Sequence, residues 1–135
     1  MADQRIEKLA EIVVGIIDLQ LDLANKTSDD VKYHRWPLGY CFGALDSVAQ
    51  HYGLDWKTQG IALITEGLAL IMSEREAERY FRRCLELQED RFFAEGREHG
   101  GDDFHRWLTT HGEFKPLTLM NFFAFGKPAP LRELR

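Results

Sequence analysis

Cysteine is nearly missing from this chain: Cys41 and Cys84 are the only two. Two cysteines make no disulfide framework. Both fall within apolar helical patterns, where a free thiol behaves as a small hydrophobe, and no neighbouring His or Lys is placed by sequence to activate either one. Long apolar runs are missing too. The N-terminal one, residues 12–17, is short and flanked by acids, which excludes a signal peptide. The longest, residues 60–72, is interrupted by Glu66 and is too short to cross a bilayer as a straight helix. A basic excess is absent: 17 Lys and Arg stand against 22 Asp and Glu. A general nucleic-acid binder needs the opposite balance to displace counterions. In the richest basic stretch, residues 75–91, acids alternate with the arginines, as on a salt-bridged helix surface. There are no repeats, low-complexity tracts or linkers, and no turn-bounded alternation of the kind strands show. One soluble, cytoplasmic domain is expected, with a bundle over residues 1–126 and a short tail over 127–135.

What remains is helical periodicity. The first helix is expected over residues 3–25. Ile6, Ala10, Val13, Ile17, Leu21 and Ala24 form one stripe at 100° per residue, and Ile12, Ile16, Leu19 and Leu23 form a second beside it. A short turn of helix is expected over 31–36. Pro37 then suits the first position of a second helix, which ends before Gly53 at a left-handed turn. A third helix, capped by Asp55 and spanning 56–72, is apolar nearly all round. Ser73 and Glu76 have capping-box spacing and start a fourth helix expected to reach residue 99, burying Ala77, Tyr80, Phe81, Cys84, Leu85 and Phe92. Gly100 reads as its stop and Asp102 as the cap of a fifth helix ending at Gly112. Residues 116–125 make a sixth, closed by Gly126. The expected class is all-α: a single-domain bundle of five to six helices, with the first and third most buried.

Chemistry has few places to reside. Asp102, Asp103 and His105, beside His99, gather carboxylates and imidazoles at a presumed helix junction. The three have the chemistry to bind a divalent metal, and His105 that of a general base, while helix capping explains the same residues. Glu86, Glu89 and Asp90 fall on the outer face of their helix, where a solvated role is simplest. Glu66, Gln88 and Gln20 are polar residues where the pattern expects apolar ones. They form either an interior hydrogen-bonded network or the lining of a small-molecule pocket. Gly39, Gly43 and Ser47 recur every four residues and imply close approach of another helix, with Asp46, Gln50 and His51 at the margins. Residues 114–125 are rich in Phe and Leu and offer aromatic surface to a partner.

The first helix weighs most. Its second stripe, Ile12, Ile16, Leu19 and Leu23, needs its own cover, either from the third helix or from a second subunit across a two-fold axis. The sequence therefore favours a non-enzymatic interaction or regulatory protein acting as a homodimer, with no cofactor and no nucleic-acid or membrane partner. The alternative is a small metal-dependent enzyme or ligand-binding protein that uses the 99–105 corner or a pocket near Glu66 and Gln88.

Overall fold

A computed structural model describes residues 3–126, and among them the chain is all-α, with seven helices and no strand. The expected tail, 127–135, lies outside the described residues. Helix α1 spans Gln4–Leu23, α2 Ser28–Lys32, α3 Arg35–His51, α4 Ile61–Ile71, α5 Glu74–Glu86, α6 Arg91–Thr109 and α7 Thr118–Phe125. A π-helical turn, Trp56–Gly60, leads into α4 through an N–H of Gly60 that reaches back to the Asp55 carbonyl at 2.9 Å. None of the described helices is long and apolar enough to cross a membrane.

The centre is a pair, α3 and α6, packed backbone against backbone. A Cβ added to Gly39 would overlap the Phe93 carbonyl, and one on Gly43 the Arg97 carbonyl. From the other side, Gly96 sits on the carbonyl of Trp36 and Gly100 on that of Tyr40. Ser47 extends the series, its Oγ donating to the Gly101 carbonyl at 3.0 Å. The register rises together, 36 with 96, 40 with 100 and 47 with 101, so the two helices run parallel. Parallel neighbours need a return path. Here it is residues 52–90, the π turn with α4 and α5. Helix α1 lies on α4, and α7 folds back onto α1 and α6.

Several expectations are corrected by this arrangement. The most buried helix is α3, with twelve buried residues, rather than the first and third of the expected set. Leu70 leaves α4 with one exposed side. Pro37 is the third residue of α3, not the first, still within the turn whose N–H groups have no intrahelical partner. The long helix expected over 73–99 is two helices. Asp90 caps α6, its Oδ1 accepting from the N–H groups of Phe92 and Phe93 at 3.0 Å each. Leu85 and Phe92, expected inside, are exposed, because the break re-aims the residues on either side. Conversely, Gly100 stops nothing and Asp102 caps nothing, since α6 runs through both to Thr109. Glycine in a helix interior costs roughly 1 kcal/mol relative to alanine; here that loss is offset by the contact with α3.

Two further boundaries are shifted: the short turn expected over 31–36 lies at Ser28–Lys32, and Asp55 makes no side-chain cap hydrogen bond, α4 beginning only at Ile61 after the π turn. Others fall where expected: α1 starts beside Asp3, which caps it, and Gly53 turns the chain at φ +64. Ser73 caps α5, accepting from the Glu76 N–H at 3.2 Å while its hydroxyl donates to the Glu76 carboxylate at 3.0 Å. Gly126 closes α7 in the left-handed region.

Candidate functional site

Because α6 is continuous through the Gly-Gly-Asp-Asp stretch, successive side chains turn by about 100°, and the expected acidic corner is divided. Asp103 points inward and is fully buried. It accepts from the Tyr40 hydroxyl at 2.6 Å, and from the Thr118 hydroxyl and N–H at 2.8 and 3.1 Å. Asp102 faces the other way, paired with Arg106 at 3.2 Å, and His105 is exposed. Among the described residues no three His, Cys, Asp or Glu side chains are grouped to hold a metal ion.

Asp102 and His105 line a cleft of about 350 Å³ together with Asp46, Ser47 and Gln50 of α3 and Arg97 and Glu98 of α6. The glycine contact is what brings these polar margins together. Burial raises the Asp46 carboxyl above the usual carboxylate value, while Gln50, donating to it at 2.7 Å, pulls the other way. The cleft is open and its walls are polar. It joins two places that the sequence offered separately, the acidic stretch and the margins of the small-residue groove.

Gln20, Gln88 and Glu66 are not brought together. Gln20 belongs to the interior network: its Nε2 donates to the Tyr40 hydroxyl at 3.0 Å and its Oε1 accepts from the Met120 N–H at 3.1 Å. The chain Gln20–Tyr40–Asp103–Thr118 thereby ties α1, α3, α6 and α7 together. Burial is the main cause holding the Tyr40 phenol and the Asp103 carboxyl above their ordinary values. Gln88 sits in the turn before α6, donating to the Cys84 carbonyl at 2.8 Å and accepting from Arg97. Glu66 is half-buried on α4.

Beside the network stands an unsatisfied pair: His99, which the sequence placed in the acidic corner, and Trp36, which it did not connect with it. His99 and Trp36 are both buried, with ring centroids 5.6 Å apart, and neither His99 Nδ1 nor Trp36 Nε1 has a hydrogen-bond partner among the described residues. Burial lowers the His99 pKa below 6.5, against the pull of Glu95, Asp102 and Glu98. Trp36 is also stacked on Phe122 of α7 at 4.3 Å, so the aromatic C-terminal segment is partly committed to the bundle. Phe125 remains exposed. The two cysteines are buried, and desolvation raises both thiols, Cys84 to about 12, which keeps them protonated and inert.

A larger cleft, about 450 Å³, lies between the start of α3 and α5 and is lined by Lys32, Arg35, Arg79 and Arg83. Three of these cations are already answered. Lys32 pairs with Glu76 at 3.1 Å and Asp29 at 3.3 Å, Arg35 with Asp90 at 2.5 Å and Arg79 with Glu76 at 3.7 Å. Within the stretch 75–91 the expected helix-surface pairs include Arg79 with Glu76 and Arg82 with Glu78, the latter at 2.8 Å.

The outer face of α1 is different in kind. The stripe Ile6, Val13, Ile17 and Leu21 is buried in the chain's own core, whereas Ile12, Leu19 and Leu23 are 50%, 55% and 60% exposed. Ile16 is half-buried between them, and so is Leu9 at the margin of the core. Three large aliphatic side chains therefore stand in water on one helix face. No protein-family model, no curated protein and no solved structure matches the chain, and its function is read from these residues alone.

Proposed function

We propose that this protein is a non-enzymatic interaction module that acts as a cytoplasmic homodimer, with the outer face of α1 as its docking surface. The observation that carries the reading is the exposure of Ile12, Leu19 and Leu23 on a helix whose opposite face is already seated in the core. Burying each Leu or Ile gains roughly 1.5–3 kcal/mol, and a two-fold contact counts every residue twice, enough to offset the entropy of docking. The interior polar groups support a non-catalytic role, because Gln20, Tyr40, Asp103 and Thr118 satisfy one another. Two free, buried thiols suit a reducing compartment. Light scattering tests the reading: wild type is expected to be a dimer at micromolar concentration and Leu19→Glu a folded monomer. A monomeric wild type contradicts it.

A second reading rests on the α3–α6 cleft, whose polar walls include Asp46, Gln50, Arg97 and Asp102 and would take a small polar ligand. Its test is the melting temperature with added small amines and polyols. A rise that Asp102→Asn abolishes would move the function there, and a flat response retires the cleft.

A further inference from the structure

The helical glycines of this protein divide into two kinds. Gly39, Gly43, Gly67, Gly96 and Gly100 all lie beneath atoms that a Cβ would strike, and Gly60 and Gly101 are in closer or looser contact with neighbouring atoms. Gly15, in the middle of α1, has nothing within 4 Å. It borders the face formed by exposed Ile12 and Leu19 with half-buried Ile16 between them. A glycine inside an exposed helix weakens that helix and, within a single copy, returns nothing. Glycine on a helix face otherwise serves close backbone approach, as it does between α3 and α6.

The residues around Gly15 are self-complementary. Leu9, Ile12, Ile16, Leu19 and Leu23 follow at spacings of three and four, the seam of a coiled coil. Lys8 and Asp22 lie seven residues before and seven after Gly15 on the same side of the helix. Both are exposed, and among the described residues neither forms an ion pair within its own chain. At the ends of the seam, Arg5 and Lys26 lie over the rings of Tyr52 and Phe123 of their own chain.

We infer that a second copy of this chain docks antiparallel on α1, the two helices crossing at Gly15 and each Lys8 meeting Asp22 of the partner subunit. This rests on the reading of α1 as the docking surface. A two-fold axis near Gly15 places Ile16 against its own copy, Ile12 against the partner's Leu19, and Leu9 against the partner's Leu23. Lys8 and the partner's Asp22 then both fall about 10 Å along the helix from the axis. A parallel pair would set Lys8 against Lys8 and Asp22 against Asp22. An unrelated apolar helix would leave both charges unanswered beside the contact. The charges thus select both direction and partner.

Sedimentation equilibrium on the full chain tests the crossing. Lys8→Asp and Asp22→Lys each turn two attractive pairs into two repulsive ones and should weaken the dimer about tenfold. The Lys8→Asp/Asp22→Lys double variant should return to within about threefold of wild type. Gly15→Leu has room in the single copy, so it should keep its helical circular dichroism and cooperative melting yet be monomeric. A Gly15→Leu protein that dimerises like wild type, or a double variant no tighter than the singles, overturns the crossing. If Leu19→Glu still breaks the dimer in that case, the α1 surface stands and only its geometry fails. A monomeric wild type removes both.

Discussion

Tyr40 is the residue on which the interior turns. Its hydroxyl donates to Asp103 and accepts from Gln20. Tyr40→Phe would leave the Gln20 amide without its acceptor and Asp103 without its shortest donor, and a buried group stranded in this way costs about 1–3 kcal/mol. Urea denaturation is expected to show a loss of that size with an unchanged slope. His99 contributes in the opposite sense, through what it lacks. Its folded pKa is depressed by burial, so its contribution to stability is present above the ordinary imidazole value of 6.5 and lost as pH falls through the lower folded value. Asp103, with a raised pKa, acts the other way: its contribution is full below 3.8 and declines as pH rises through the folded value. On going from pH 7 to pH 5, the melting temperature of wild type should shift downward relative to that of His99→Leu, which keeps the opposing contribution of Asp103 but not the imidazole. Equal slopes would mean that the imidazole is not the group that titrates. Gln20 was legible in the sequence as a polar residue out of place. Its partners were not, because they come from helices far along the chain, and periodicity gives the face of one helix without naming what it meets.

At the scale of the element, caps were more legible than continuity. The Ser73–Glu76 pairing can be read from two letters, and it starts α5 as expected. Ser73→Ala should lower stability by roughly 1 kcal/mol, measured as a shift in denaturation midpoint. An unchanged midpoint would show that the side chain adds nothing there. The α5–α6 break and the unbroken passage through Gly100 and Gly101 were misread for one reason. Local propensity favours helix at 87–89 and a stop at two glycines, and tertiary packing overrides both. Phe93 is buried against α3 and fixes where α6 begins, while Gly96 and Gly100 let the helix continue in contact with α3. Gly96→Ala inserts a methyl into the Trp36 carbonyl and should destabilise by about 3 kcal/mol or more, whereas helix propensity alone would make it stabilising. The sign of that change, read by thermal melting, separates the two accounts. Gly39, Gly43 and Ser47 did announce a close helix. That the answering glycines were 96 and 100 followed only from the fold.

For the whole molecule, the all-α class and the exposed second stripe of α1 were both legible, because periodicity reports directly which residues share a face. The cleft between α3 and α6 was not, since its two walls are far apart in sequence. If the chain assembles through α1, folding and association are linked, and wild-type melting temperature should rise with protein concentration while that of Leu19→Glu stays constant. A wild-type melting temperature independent of concentration would show that assembly adds nothing to stability. The parallel pairing of α3 and α6 also bears on how the chain reaches its native state. Tyr40 and Asp103 are 63 residues apart, and Gln20 and Met120 are 100 apart. The tightest contacts in the protein therefore close only after a long intervening loop has been gathered, and that chain entropy is lost before the contacts reward it. This protein should fold more slowly than an up-and-down bundle of equal length. A fragment ending before α6 would leave the backbone-contact face of α3 exposed, with its glycines facing water in place of a helix.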